Sequence, residues 1–108
     1  MKSILLLIAV LFSTNSFAET VYVKYRGPVD LGSFACSWTQ DSFVNRLCYD
    51  RSEEYVLVKL NNTYYHYCEV PRSSVSKWLN SGSKGSYYYS YIKGRHDCRI
   101  YHMPSYSR

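Results

Sequence analysis

The sequence predicts a small α+β domain. Its expected core is an antiparallel sheet of three to four strands, packed by two short helices and stapled by disulfides. Three observations carry this prediction. Short alternating apolar runs fill the region from Thr20 to Val70, as half-buried strands require. Apolar residues at helical spacing follow Pro71. Four cysteines stand in a chain of only 108 residues, too small to rely on a large core. An 18% aromatic content, with thirteen tyrosines, argues against a disordered tail.

Residues 1–18 read as a secretory signal rather than part of the fold. Lys2 gives the positive start, Ile4 to Phe12 is an unbroken apolar run, and Ser16-Phe17-Ala18 sets small residues before a cleavage point at Glu19. The run is far shorter than the roughly 20 residues of a spanning helix. No second apolar stretch follows, so a soluble periplasmic or secreted product is expected. Cleavage would leave 90 residues carrying 12 basic and 8 acidic groups.

Thr20 to Arg26 alternates as a first strand, and Gly27-Pro28 breaks it. Val29 to Gln40, with Gly32 and several hydroxyl residues, reads as loop, so residues 19–40 form an N-terminal strand and loop extension. Ser42 to Asp50 is the next strand. Val44, Leu47 and Tyr49 are out of strict alternation, which predicts a bulge or an irregular start. Tyr55 to Leu60 places Val56, Val58 and Leu60 on one face. Asn61-Asn62 suits a tight hairpin turn, because Asn tolerates positive φ. Thr63 to Val70 returns with Thr63, Tyr65 and Tyr67 on the face of Val58 and Leu60. Pro71 opens a helix whose stripe is Val75, Trp78 and Leu79, with Trp78 the expected buried anchor. Gly82 ends it. Ser83 caps a second helix with the stripe Tyr88, Tyr91 and Ile92, stopped at Gly94. His96 to His102 can supply a last strand, and the final six residues look loose.

From the strand at Ser42 to the second helix, the chain resembles the KTSC domain, the short module named after the C-terminal region of some lysyl-tRNA synthetases. Val44, Leu47, Tyr49 and Asp50 resemble its opening strand, and Val56-x-Val58-x-Leu60 its second. Tyr65-His66-Tyr67 fits its central Y-x-Y, and Val70-Pro71 its helix start. Ser83-Lys84-Gly85, Tyr88, Ile92 and Lys93-Gly94-Arg95 fit its closing segment. The resemblance places a KTSC-like domain at residues 41–98 and a tail at 99–108. It implies no known biochemical role, although RNA binding has been suggested for the family. This chain looks like an exported, cysteine-containing branch.

Cys36, Cys48, Cys68 and Cys98 are even in number, and two disulfides are expected in an oxidising compartment. Cys48 and Cys68 point away from the predicted core face. In a plain meander they would lie two strand spacings apart, about 9.5 Å, beyond the roughly 7 Å reach of a disulfide. A Cys48–Cys68 bond needs neighbouring strands. Otherwise Cys36 and Cys98 each staple one of them. Pairing Cys36 with Cys98 and Cys48 with Cys68 would close the domain ends together, and that is the pairing expected here. The cysteine gaps of 12, 20 and 30 residues lack the close pairs of zinc sites. No metal or other cofactor is expected.

The charge is uneven. From Pro71 onward, seven basic residues face Asp97 alone. Such a patch suits phosphates, anionic lipid heads or an acidic partner. Ser83, Lys84 and Gly85, at a predicted helix start, form a candidate anion site. Tyr87 and Tyr89, or Tyr64 on the hairpin, are candidates for exposure, and with Lys93 and Arg95 they make a candidate contact surface. Tyr49, Val56, Val58, Tyr65, Tyr67, Pro71, Trp78 and Ile92 are the core and family-motif residues, Pro71 as the helix start. No carboxylate pair, phosphate loop or nucleophile elbow is visible. The expected function is therefore a non-catalytic binding module for a protein or envelope component. Nucleic-acid binding through the basic, Tyr-rich C-terminal third is the alternative. A small hydrolase or nuclease using His66 or His96 with a carboxylate ranks third.

Overall fold

A computed structural model describes residues 19–106. The predicted signal segment and the last two residues lie outside the described residues. Six strands form one curled sheet: β1 (Thr20–Val23), β2 (Gly27–Asp30), β3 (Ala35–Trp38), β4 (Val44–Asp50), β5 (Tyr55–Leu60) and β6 (Thr63–Tyr67). Their order across the sheet is β2-β1-β6-β5-β4-β3. All pairings are antiparallel except β1 with β6, which is parallel. Helices α1 (Arg72–Leu79) and α2 (Lys84–Tyr87) follow. A π-helical turn over Tyr88–Ile92 closes with Lys93 N–H donating to Tyr88 O at 2.8 Å.

The predicted three-to-four-strand antiparallel sheet is thus corrected to six strands in a mixed sheet. The extra strands come from residues 27–40, read in the sequence as a breaker and a loop. Pro28 is tolerated because β2 is an edge strand, where its missing N–H breaks no ladder. β3 is mostly exposed, so it carries no alternating pattern. Its pairing with β4 holds it in place, and Cys36 lies opposite Cys48 in that ladder.

The central hairpin forms as the sequence predicts. Val56 faces Tyr67, Val58 faces Tyr65, and Leu60 faces Thr63. Asn61 and Asn62 both hold positive φ, 45° and 72°, as a two-residue turn that follows the sheet's twist requires. The predicted irregularity in β4 is a register shift between Val44 and Arg46.

The sheet buries both of its faces. On one, Val44, Leu47, Tyr49, Val56 and Val58 meet Val75, Trp78, Tyr88 and Ile92 from the helical region. Trp78 is the largest fully buried side chain, and its indole N–H donates to Lys84 O at 3.0 Å. On the other, Val21, Val23, Val29, Cys48, Tyr55, Leu57, Tyr64 and Cys68 form a second core. Cys48 and Cys68 do point away from the first core, as their parity implies, but into this one.

The disulfides are Cys36–Cys48 and Cys68–Cys98, not Cys36–Cys98 and Cys48–Cys68. β5 separates β4 from β6, which puts Cys48 and Cys68 out of reach of each other. β3 instead carries Cys36 to Cys48, with Cα atoms 4.0 Å apart. The segment after Gly94 brings Cys98 beside Cys68, aided by Cys68 N–H donating to His96 O at 2.8 Å.

Two further expectations are corrected. Residues 96–102 form a turn rather than a strand. Ile100 and Tyr101 N–H groups both donate to Asp97 O at 2.9 Å, and Ile100 is largely exposed. The described part of the tail is packed. Pro104 is buried, and its carbonyl accepts from Arg26 Nη2 at 2.7 Å. Tyr106 stacks on Tyr55 and donates to Asp50 Oδ2 at 2.5 Å.

Candidate functional site

Two surface depressions bear on function. The first is a cleft of about 670 Å3. Tyr65, His66 and Tyr67 of β6 line it, with Tyr25 at the β1–β2 turn and the Gly94–Arg99 segment as its walls. Three physical features set its shape. The Cys68–Cys98 disulfide pins the C-terminal wall to β6. Gly94, at φ 79°, turns the chain away from the π-turn. Tyr25, at φ 72°, holds the N-terminal wall in the left-handed region, which disfavours bulky side chains.

Behind the cleft, His66 is tied to buried polar groups. Arg26 Nη1 donates to the Tyr55 hydroxyl at 2.9 Å, and that hydroxyl is hydrogen-bonded to His66 Nδ1 at 2.8 Å. Burial, and then the nearby Arg26 charge, holds the His66 pKa below its ordinary value. Asp97 is bound by the Arg99 guanidinium, with Nη2 to Oδ2 at 2.7 Å, and its pKa falls to about 2. Arg95 also lines the cleft, and its guanidinium has no ion-pair partner among the described residues. Tyr25 is 84% exposed, and Lys24 Nζ sits 5.5 Å from its ring and 6.0 Å from that of Tyr65.

The second depression, of about 710 Å3, lies between edge strand β3 and the α1–α2 connection. Trp38, Ser83 and Lys84 line it. Its polar groups are engaged in holding the fold. Ser83 Oγ caps α2 by accepting Ser86 N–H at 3.1 Å, and Lys84 Nζ donates to Ser81 O at 2.8 Å. Gly85 N–H donates to Asp41 Oδ1 at 3.2 Å, so the anion at this helix start is an internal carboxylate.

The candidate residues do not gather into one patch. Arg95 joins Tyr65 and Tyr67, which were assigned to the core, in the first cleft. Ser83 and Lys84 line the second depression. Tyr87 is half-buried, stacked on Trp78, while Tyr89 is 56% exposed, stacked on Phe43 with Lys93 Nζ 5.0 Å from its ring. Tyr64 is buried rather than exposed and accepts from Arg46 Nη1 at 3.0 Å. Sequence reasoning missed Tyr25, Arg99 and Met103 as cleft residues. A Tyr-Arg-Gly turn is the only trace of Tyr25's role in the sequence.

Comparison with known proteins bears on the same region. The family model for the KTSC domain matches residues 40–96. No curated protein matches the chain. Among solved structures, the chain is similar to a KTSC domain protein from Yersinia pestis. The two are 21% identical with a TM-score of 0.54, over 56% of this chain and 87% of that one. Tyr25, Cys98, Arg99 and Met103 fall outside the matched segment, whereas Tyr65, His66, Tyr67 and Arg95 fall within it.

Proposed function

The chain belongs to the KTSC domain family, whose role is unknown, and from that premise we propose that it is an exported, non-catalytic binding module for an envelope component. One observation carries this reading. The Y-x-Y strand of the family module is built out into a cleft by the N-terminal turn and the disulfide-pinned C-terminal wall, which leaves a free cation and an 84% exposed tyrosine at its rim. Ligand sites combine an aromatic lining with a few fixed polar groups in this way. The titratable groups of the cleft are tied to structural partners, His66 to Tyr55 and Asp97 to Arg99, as suits recognition more than proton transfer. No catalytic function is known for the family.

Export is supported by the leading apolar run, the cleavage pattern and two disulfides. Among the described residues, no helix is long and apolar enough to cross a membrane.

The test is capture from an envelope fraction with the immobilised, oxidised protein. Wild type is expected to retain a component that the Tyr65→Ala, Arg95→Ala double variant loses. Equal retention by both would contradict the reading.

A further inference from the structure

We propose that the Tyr25–Tyr65–Arg95 cleft is a site for an acidic saccharide, a pyranose ring bearing a carboxylate. This rests on the binding-module reading above and names its ligand class.

One side of β6 pairs with β5. On the other, Lys24 N–H bonds Tyr64 O at 2.8 Å and Cys68 N–H bonds His96 O at 2.8 Å, so the His66 main chain between them is all that is left without a backbone partner among the described residues. A single residue is too short an edge for strand addition by an extended peptide. Recognition falls to side chains, in a cleft within the size range of small-ligand sites.

Tyr25 and Tyr65 present aromatic faces whose negative quadrupole attracts the polarised C–H bonds of a sugar ring. Lys24 Nζ lies 5.5 Å from the Tyr25 ring and 6.0 Å from the Tyr65 ring, so both rings border one cation. Arg95 supplies a planar donor fork suited to a carboxylate.

A nucleic-acid strand fits less well. Of the six described basic residues after Pro71, Arg95 and Arg99 line the cleft, and Arg99 is already paired with Asp97. That leaves too few cations to track a phosphate backbone, whose binding draws on many such contacts.

Tyr25 occupies a left-handed turn position that Gly or Asn would fill at lower conformational cost, yet its ring packs into no core. Strained residues of this kind concentrate at ligand-contacting positions. Tyr25 is therefore assigned as a contact residue supplied from outside the family-matched segment.

The experiment titrates the disulfide-bonded protein by NMR with oligogalacturonate, sialyllactose and a chondroitin tetrasaccharide. Maltotetraose and an oligouridylate serve as comparators. At least one acidic saccharide is expected to bind at least tenfold more tightly than maltotetraose. Tyr25→Gly and Arg95→Gln should each weaken it tenfold or more. Because Gly suits φ 72°, the Tyr25→Gly protein should melt at or above the wild-type temperature, which separates lost contact from lost fold. Failure of all three acidic saccharides, equal binding of maltotetraose, or insensitivity to both substitutions overturns the proposal. Tighter oligouridylate binding with a log–log salt slope steeper than about −2 also overturns it, in favour of nucleic acid. If cleft-dependent envelope capture persists while no saccharide binds, the ligand class is wrong and the binding-module reading stands. If capture ignores the cleft, both fall.

Discussion

The Asp41 carboxylate accepts the Gly85 N–H, joining the start of β4 to the start of α2 across 44 residues of chain. Its other oxygen accepts from Phe43 N–H at 3.0 Å and Val44 N–H at 2.9 Å. Gly85 suits the close approach, since an added Cβ would lie 3.3 Å from Asp41 Oδ2 and the carboxylate would have to shift by a few tenths of an ångström. These hydrogen bonds hold the Asp41 pKa below its ordinary value, with that from Val44 the largest contribution.

Asp41→Ala is therefore expected to destabilise the fold by about 1–3 kcal/mol, because it removes charge-assisted bonds and strands three N–H groups. The depressed carboxylate contributes stability that is present above its unfolded pKa, near 3.9, and lost as pH falls through its folded pKa. Denaturant melts of wild type and variant should converge below about pH 4. A constant gap across pH would contradict the assignment.

His66 titrates with the same sign in a higher window. Its folded pKa is lowered by burial and by Arg26, so the unfolded chain takes up the proton first. Stability is then expected to fall on acidification from about pH 7 through the unfolded value near 6.5. His66→Asn keeps an acceptor for Tyr55 and should flatten this part of the profile. Thermal melts between pH 5 and 8 check it, and an unchanged slope would count against burial of His66 as its cause.

The two disulfides should be separable. Cys36 and Cys48 are 12 residues apart, Cys68 and Cys98 30 apart. Loop entropy then gives about 3 and about 4 kcal/mol respectively. Peptide mapping of the oxidised protein should recover those two pairs. The Cys68→Ser, Cys98→Ser variant is expected to lose more stability and to release the cleft wall, seen as faster amide exchange at residues 94–99. Faster exchange confined to β3 would contradict this.

Trp78→Ala should cost about 3–5 kcal/mol, because the ring is fully buried beneath the π-turn and its loss leaves a cavity. A loss below about 1 kcal/mol by urea melt would mean that the helical region does not rest on this side chain.

Much of the central fold was legible because its signals are local. The Asn61-Asn62 turn, the Val56–Val58–Leu60 face, the Ser83 cap and the Trp78 anchor each follow from residue type and spacing. The outer strands were not. β2 and β3 are four residues each, and β3 has no buried stripe, so only pairing with β4 reveals it. The second core was signalled by Tyr55 and Leu57, the alternate positions of an almost wholly apolar strand, but attention to one face hid it. The disulfide pairing depended on β3, so it failed with it. In the site, Arg95 and the Y-x-Y tyrosines could be named from the sequence, whereas their convergence with Tyr25 depends on the parallel β1–β6 contact and a positive φ. Composition carries neither.

The central claim is that recognition takes place in the cleft beside β6 and not on the Ser83–Tyr89 surface. Amide chemical-shift mapping of the oxidised protein, loaded with the component retained from an envelope fraction, tests this most directly. The account predicts perturbations concentrated at Tyr25, Tyr65, His66, Arg95 and Asp97. Perturbations centred on Ser83, Lys84, Gly85 and Tyr89, with those five unmoved, would contradict it.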